Sequence, residues 1–344
     1  MTTSQAEYFV DSGDFLVLPI WGGVGYEGRP LAHPHIRVPV SADFWQAWHV
    51  FPGESAPQIE LALRTMMPFL MQLAVMGQRL VEAQEKLSPE DIVTEVDIGL
   101  EGLFRMWITR HFPEDRIIGE EGFYGQPNET PLLAPAVVWI IDPIDGTSNY
   151  AAGDTAVVIQ LCRLRHGLPE LAVMGFPFYD RLETAAVGGP VWPVVSWRPE
   201  VSSTFCVATE YREDRIQEAV DFAQVCHQFG GQPYRVKSIG VNVYSLGAHL
   251  DFVFYKPRIK IWDIYPPLAL LRLRQVAVQM QICVSCVEAS RSQWVDPFSS
   301  VAYASFEPAL AHEGRIGHVV LTSQMQKNTI TSAIKERLLC MSLF

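Results

Sequence analysis

Apolar positions recur at helical spacing from residue 57 to residue 86, where Leu61, Leu63, Met67, Leu70, Leu73, Ala74, Met76 and Leu80 form a stripe. The spacing predicts a long helix over 57–86, kinked at Pro68 because proline lacks a backbone donor. A second stripe, Ile98, Leu100, Leu103, Phe104, Trp107 and Ile108, predicts a helix over 97–111 that Pro113 stops. The period then shortens. Apolar runs predict strands at 137–141, 156–163, 171–175 and 182–187, with turns at His166-Gly167 and Tyr179-Asp180. Beyond a Pro- and Trp-rich linker at 188–200 the pattern alternates. It predicts strand 204–208, helix 213–229, strand 234–238, helix 240–249, strand 251–254 and a helix after Trp262. Strands at 281–285 and 318–321 and a helix over 325–339 complete it. Mixed sheets with layered helices predict an α/β or α+β sandwich in two halves, 57–198 and 199–344.

Residues 1–56 differ, being rich in Gly, Pro and aromatics, with a strand-like run at 15–21. Trp21, Phe44, Trp45, Trp48 and Phe51 bury large areas only against another surface, so an ordered arm is expected, packed on the core or across a dimer. Gly22, Gly23 and Gly25 read as a turn, because no helix and lysine follow as a phosphate loop requires. His33-Pro-His35 reads as a loop.

Of the 344 residues, 49% are hydrophobic and 19% charged, an ordinary globular balance. Lysine and arginine number 26 against 38 aspartates and glutamates, a net charge of −12. Such a surface repels phosphodiester backbones, so a nucleic-acid partner is not expected. No apolar run reaches the length of a membrane span, and the first residues lack the basic start of a secretory leader. Six cysteines are too few for a disulfide scaffold, and Cys283-x-x-Cys286 has no second pair, so it reads as part of a strand. A reducing cytoplasm is the expected compartment.

Four acidic stretches carry the chemistry: Asp91 to Asp97, Gly119-Glu120-Glu121-Gly122, Asp142-Pro-Ile-Asp145-Gly-Thr147 and Trp262-Asp263. Each has an ordinary reading by itself. Thr94 to Asp97 has helix-start spacing, and the Asp-Pro and Asp-Gly steps are turn chemistry. The third stretch says more, because it follows the apolar run Val137–Ile141. Asp142 therefore emerges at the end of a buried strand, where a carboxylate is costly unless paired or metal-bound. Pro143 sets the chain direction, Asp145 can return to face Asp142, and Gly146 allows close approach. Asp142 bridging two Mg²⁺ ions, with Glu120 and Asp145 serving one each, would satisfy these groups. Backbone amides at a helix starting at Thr147 would favour a phosphate.

In this order Asp97, Glu120-Glu121, Asp142 to Thr147 and Trp262-Asp263 resemble the inositol monophosphatase family. More broadly they resemble the lithium-sensitive, magnesium-dependent phosphatases that include bisphosphate nucleotidases and fructose-1,6-bisphosphatases. The likeness runs from about residue 57 to the C-terminus. It implies a layered αβαβα sandwich and a Mg²⁺-dependent phosphomonoesterase, active on a small sugar, cyclitol or nucleotide phosphate. It implies a first metal on Glu120, Asp142 and the Ile144 carbonyl, a second between Asp142, Asp145 and Asp263, and a third, weaker one near Asp97. Thr147, paired with Asp97, would orient and deprotonate the attacking water, with Glu120 in the catalytic set. Lys86 would stand near the entrance, Gly146 and Thr147 would hold the phosphate, and Gly240 would contact the sugar or inositol. A homodimer is expected.

Two departures stand out. Ile264-Tyr265-Pro266-Pro267 follows Trp262-Asp263 where the family has small residues. Lys256 occupies the position of an acidic residue that would bind inositol hydroxyls, and Arg258 and Lys260 follow it. Read as a strand, all three would share one face and offer a pocket for a second anionic group on the substrate.

Overall fold

The computed structural model describes residues 15–19, 35–79, 84–88, 91–121, 137–190, 206–209, 227, 232–234, 236–247, 252–256, 259–276, 278–286, 291–304 and 318–323. In chain order come β1 (Phe15–Pro19), β2 (His35–Pro39), α1 (Ala42–His49), α2 (Ala56–Gly77), β3 (Gln84–Ser88), β4 (Asp91–Val93) and α3 (Glu95–His111). Next are β5 (Arg116–Gly119), β6 (Val137–Asp145), α4 (Thr147–Ala151), β7 (Val158–Arg165), β8 (Leu168–Phe176) and β9 (Arg181–Ala186). Then follow β10 (Cys206–Thr209), β11 (Gln232–Tyr234), α5 (Ile239–Gly247), β12 (Phe252–Lys256), α6 (Ile261–Leu273), β13 (Val278–Cys286), β14 (Arg291–Val295), α7 (Ser300–Ala304) and β15 (His318–Ser323).

The central sheet has the order β5-β6-β7-β8-β9, with β5 and β6 parallel and the other neighbours antiparallel. Its residues alternate between two cores, as the two-residue period of a strand requires. Trp139, Ile141, Ile159, Leu161, Leu171 and Val173 pack with α2 and α3. Val138, Ile140, Val158, Cys162, Ala172 and Met174 pack with α5 and α6. A six-stranded sheet, β11-β10-β12-β15-β13-β14, joins this second core through Met280. The result is an α+β sandwich of helices and two large sheets, with the two-stranded ladders β1-β2 and β3-β4 beside them among the described residues. Trp107 and Trp139 are fully buried edge to face at 6.3 Å, and removing either ring costs about 3–5 kcal/mol.

The expected helix over 57–86 is shorter. α2 continues through Pro68 but ends at Gly77, and Gln84–Ser88 instead forms a ladder with β4. Helical periodicity cannot register that a strand partner lies a few residues downstream. By length and composition α2 is long and apolar enough to cross a membrane, yet its buried stripe packs on β8 and β9. The expected turn at His166-Gly167 joins β7 to β8, with φ of 52° and 79°, the signature of a tight hairpin. Residue 227, within the expected 213–229 helix, is helical, whereas the 325–339 helix lies outside the described residues. Both cysteines of the C-x-x-C pair belong to β13.

Within residues 1–56, Phe44 and Trp48 of α1 are buried, and Phe44 meets Phe69 of α2 edge to face at 5.2 Å. Trp107 Nε1 donates to Ala47 O at 2.9 Å, and His111 Nε2 lies 2.9 Å from Trp48 O. Phe51 is exposed, and Trp21 lies outside the described residues.

Candidate metal centre

Gly119 at the end of β5 lies beside Ile141 of β6 in a parallel pair, so Glu120 and Asp142 follow them side by side at the same end of the two strands. The Glu120 N–H donates to Ile141 O at 3.3 Å. Asp142 pairs with Gln160 and Asp145 with Val158, so three steps along β6 match two along β7. That extra residue is a β-bulge. In a regular strand, residues three apart face opposite sides; the bulge returns Asp142 and Asp145 to one side, both buried.

Gly146 has φ 94°, a left-handed conformation that only glycine adopts without strain, and a Cβ there would sit 2.9 Å from Ala156 O. The turn delivers Thr147 to the start of α4. Its hydroxyl lies 3.2 Å from Asp97 Oδ1 and 3.0 Å from Ile144 O. Asp97 has no exposed surface; its Oδ2 accepts from the Thr94 hydroxyl and from the Thr94 N–H at 2.9 Å. The capping box of α3 and the contact to Thr147 thus use the two oxygens of one carboxylate.

Asp145 is held by the start of α5. Its Oδ2 accepts from the Ser238 hydroxyl and from Gly240 N–H at 2.8 Å, and its Oδ1 from Ile239 N–H at 3.1 Å. Gly240 is therefore buried behind Asp145, its amide engaged by a carboxylate.

Oxygens of Glu120, Asp142 and Asp263 all lie within 4.8 Å of one another. Asp263 comes from the first turn of α6, on the opposite face of the central sheet from α3. Burial, reinforced by Glu120, Asp145, Asp263 and Asp97, holds the Asp142 carboxyl well above the usual carboxylate range. Burial and then Asp263 push Asp145 up to about 7, against the lowering effect of its three hydrogen bonds. Asp142 Oδ1 is buried without a hydrogen-bond partner among the described residues. Converging carboxylates with an unpartnered oxygen make a donor set that fits a hard divalent cation.

Glu120, Asp142, Asp145, Asp263, Asp97 and Thr147 thus converge, with the Ile144 carbonyl beside Thr147. Lys86 lies in β3 and Lys256 ends β12, while Arg258 lies outside the described residues. β12 ends at Lys256 and Lys260 is the N-cap of α6, and the residues between that would set a shared strand face for Lys256, Arg258 and Lys260 lie partly outside the described residues. Lys260 Nζ lies 3.3 Å from Glu120 Oε1 and 5.4 Å from the Trp262 ring centroid.

Two supporting residues escaped the sequence reading. Buried Glu101 accepts from Glu121 N–H at 2.7 Å and binds Arg105 at 2.7 Å, fixing the turn that carries Glu120. A Cβ at Gly119 would collide with that Glu101 carboxylate and displace it. Gln160, fully buried in β7, reaches Asp142 and the start of α6. A lone glutamine in the run Val157–Cys162 was the available signal.

Residues 56–272 match the model of the inositol monophosphatase family. Among curated proteins, inositol-1-monophosphatase ImpA of Mycolicibacterium smegmatis is 36% identical over 146 residues, 41% of this chain and 49% of that protein. The alignment thus spans about half the length of that relative. The fructose-1,6-bisphosphatase/inositol-1-monophosphatase of Thermotoga maritima is 32% identical over 56% of this chain and 73% of that protein. A solved IMPase/NADP phosphatase, complexed with Mg²⁺ and phosphate, superposes with a TM-score of 0.58 at 16% identity, covering 81% of this chain and 95% of that one. The family match takes in every acidic stretch that converges on Asp142, and on it the chain belongs to the inositol monophosphatase family.

Proposed function

We propose that this chain is a Mg²⁺-dependent phosphomonoesterase acting on a small phosphate ester, a sugar, cyclitol or nucleotide phosphate. The observation that carries the reading is the convergence of Glu120, Asp142 and Asp263 within 4.8 Å, beside the Thr147–Asp97 contact. The Mg²⁺ and phosphate bound by the solved IMPase/NADP phosphatase support the choice of ion and ligand.

Glu120, Asp142, Asp145, Asp263 and the Ile144 carbonyl would hold the cations, Asp142 shared between them. Bound there, divalent cations neutralise phosphoryl oxygens and acidify a water. The protein's own part is positional and protonic. Thr147 Oγ1 hydrogen-bonds the attacking water and passes its proton towards Asp97 Oδ1, 3.2 Å away. The Thr94 contacts keep the Asp97 carboxylate turned for that role. Amides of Gly146 and Thr147 hold the phosphate. The reaction needs no covalent intermediate, and the enzyme works as a cytoplasmic homodimer.

Phosphate release is the test, measured with Mg²⁺ and with EDTA. The panel is inositol monophosphates, fructose 1,6-bisphosphate, adenosine 3′,5′-bisphosphate, histidinol phosphate and common sugar phosphates. Mg²⁺-dependent release from at least one is expected. Release that persists unchanged in EDTA would overturn the metal role.

A further inference from the structure

α6 contains Pro266 and Pro267, and a helix bonds each N–H to the carbonyl four residues earlier. The carbonyls owed those two bonds belong to Trp262 and Asp263, and proline has no N–H to give. The two carbonyls that lose the donor four residues on are thus those of the dipeptide that brings α6 to the acidic cluster. The Gln160 Nε2 amide lies 3.2 Å from Trp262 O, 3.2 Å from Asp263 O and 3.4 Å from Asp142 Oδ2. Its two hydrogens are shared among three acceptors. The reversed amide would set Oε1 against a carboxylate and two carbonyls, so the electrostatics fix this orientation.

The opposite end of the amide supports the same conclusion. Gln160 Oε1 is buried with no hydrogen-bond partner among the described residues, and it abuts Gly240, where any Cβ would strike it. A buried unpartnered oxygen is costly, and the side chain accepts that cost to keep its NH₂ on α6.

We propose that Gln160 is a positioning residue. It is a neutral clasp that replaces the two helix bonds removed by Pro266 and Pro267 and so fixes Asp263 against Asp142. An amide suits the place because it donates without adding a positive charge that would repel cations or a negative one that would crowd the carboxylates. Gly240 supplies the room. The role rests on the metal-site reading above, since its consequence is the spacing of cation ligands, and outer partners of this kind govern metal affinity.

The test is a cycle of four full-length proteins: wild type, Gln160→Leu, Pro266→Ala/Pro267→Ala, and the triple variant. Alanines at 266 and 267 return the two N–H donors, so the clasp becomes redundant. In EDTA, Gln160→Leu should lower Tm by about 2–4 °C or more in the wild-type background and by much less in the alanine background. Mn²⁺ binding, followed by electron paramagnetic resonance of the free ion, should weaken about 10–100-fold in Gln160→Leu. In the alanine background the loss should shrink at least several-fold. Should Gln160→Leu fail to fold, a triple variant that folds and matches the proline-to-alanine protein in Tm supports the clasp. The same failure in both backgrounds overturns it. Equal Tm penalties in the two backgrounds overturn the clasp, and wild-type Mn²⁺ affinity in Gln160→Leu overturns the positioning role. A wild-type protein that binds no Mn²⁺ overturns the metal-site reading and that role with it, while the clasp is still decided by the melting cycle.

Discussion

Lys260 Nζ stands 3.3 Å from Glu120 Oε1, so a side chain from the N-cap of α6 sets a positive charge on the carboxylate cluster. The same ammonium lies 5.4 Å from the Trp262 ring centroid. A cation this close offsets part of the repulsion among Glu120, Asp142 and Asp263 and opposes entry of a divalent ion. Lys260→Met should therefore tighten Mg²⁺ binding, by about tenfold or ~1.4 kcal/mol, while lowering Tm in EDTA. Titration calorimetry with Mg²⁺ checks the first and melting checks the second. Weaker Mg²⁺ binding in the variant would remove the competition argument.

Asp142 is the carboxylate that every reading of the site shares. Asp142→Asn keeps the shape but takes away the charge and so the cation site. Phosphate release should fall at least about 10³-fold, ~4 kcal/mol of transition-state stabilisation. The fold should survive and gain stability in EDTA, because burial and four neighbouring carboxylates oppose the charged form. Hydrolysis at the wild-type rate would sink the assignment.

The raised carboxyls also set a pH dependence. Asp142 and Asp145 bind protons more tightly folded than unfolded, Asp145 with a value of about 7 against an ordinary 3.8. Their stabilising contribution is present in full below about pH 4 and is lost as pH rises through 7. Glu95, raised by burial, acts in the same direction. His111 is lowered, first by burial, and opposes them by destabilising the fold below its ordinary 6.5. The protein in EDTA should therefore be more stable near pH 6 than near pH 8, and Asp145→Asn should flatten the difference. Saturating Mg²⁺ should reverse it. A Tm in EDTA that rises from pH 6 to 8 contradicts the burial of these charges.

Much of the candidate site was readable because its residues carry local signals. Asp142 follows an apolar run, Thr94-x-x-Asp97 is a helix start, and Asp145-Gly146 is a turn. Other features depend on partners distant in sequence. Helical periodicity ran past Gly77 because nothing local announces the pairing of β3 with β4. Strand β6 was read only to Ile141, where the apolar run ends, yet the bulge carries pairing on to Asp145. Lys260 was read as a strand residue, whereas Ile259 before it is buried and Lys260 is the N-cap of α6. Gln160 and the proline pair lie about a hundred residues apart, and each is unremarkable until the fold sets one beside the other.

The role proposed for Thr147 separates proton handling from binding. The Thr147 hydroxyl lies between Asp97 Oδ1 at 3.2 Å and Ile144 O at 3.0 Å, and the left-handed Gly146 before it fixes that placement. Thr147→Ser keeps the oxygen and should retain activity within about tenfold, the cost of a freer rotamer. Thr147→Val keeps the branched shape but removes the hydroxyl. It should lower kcat by about 10²–10³-fold, the range for a lost general acid–base partner. KM and Mn²⁺ affinity should change little, because the carboxylates proposed to hold the cations are untouched. Asp97→Asn should lower kcat similarly, and the double variant should be little worse than either single one, since the two act as a unit. Full additivity of the two losses would mean that Thr147 and Asp97 serve separate steps.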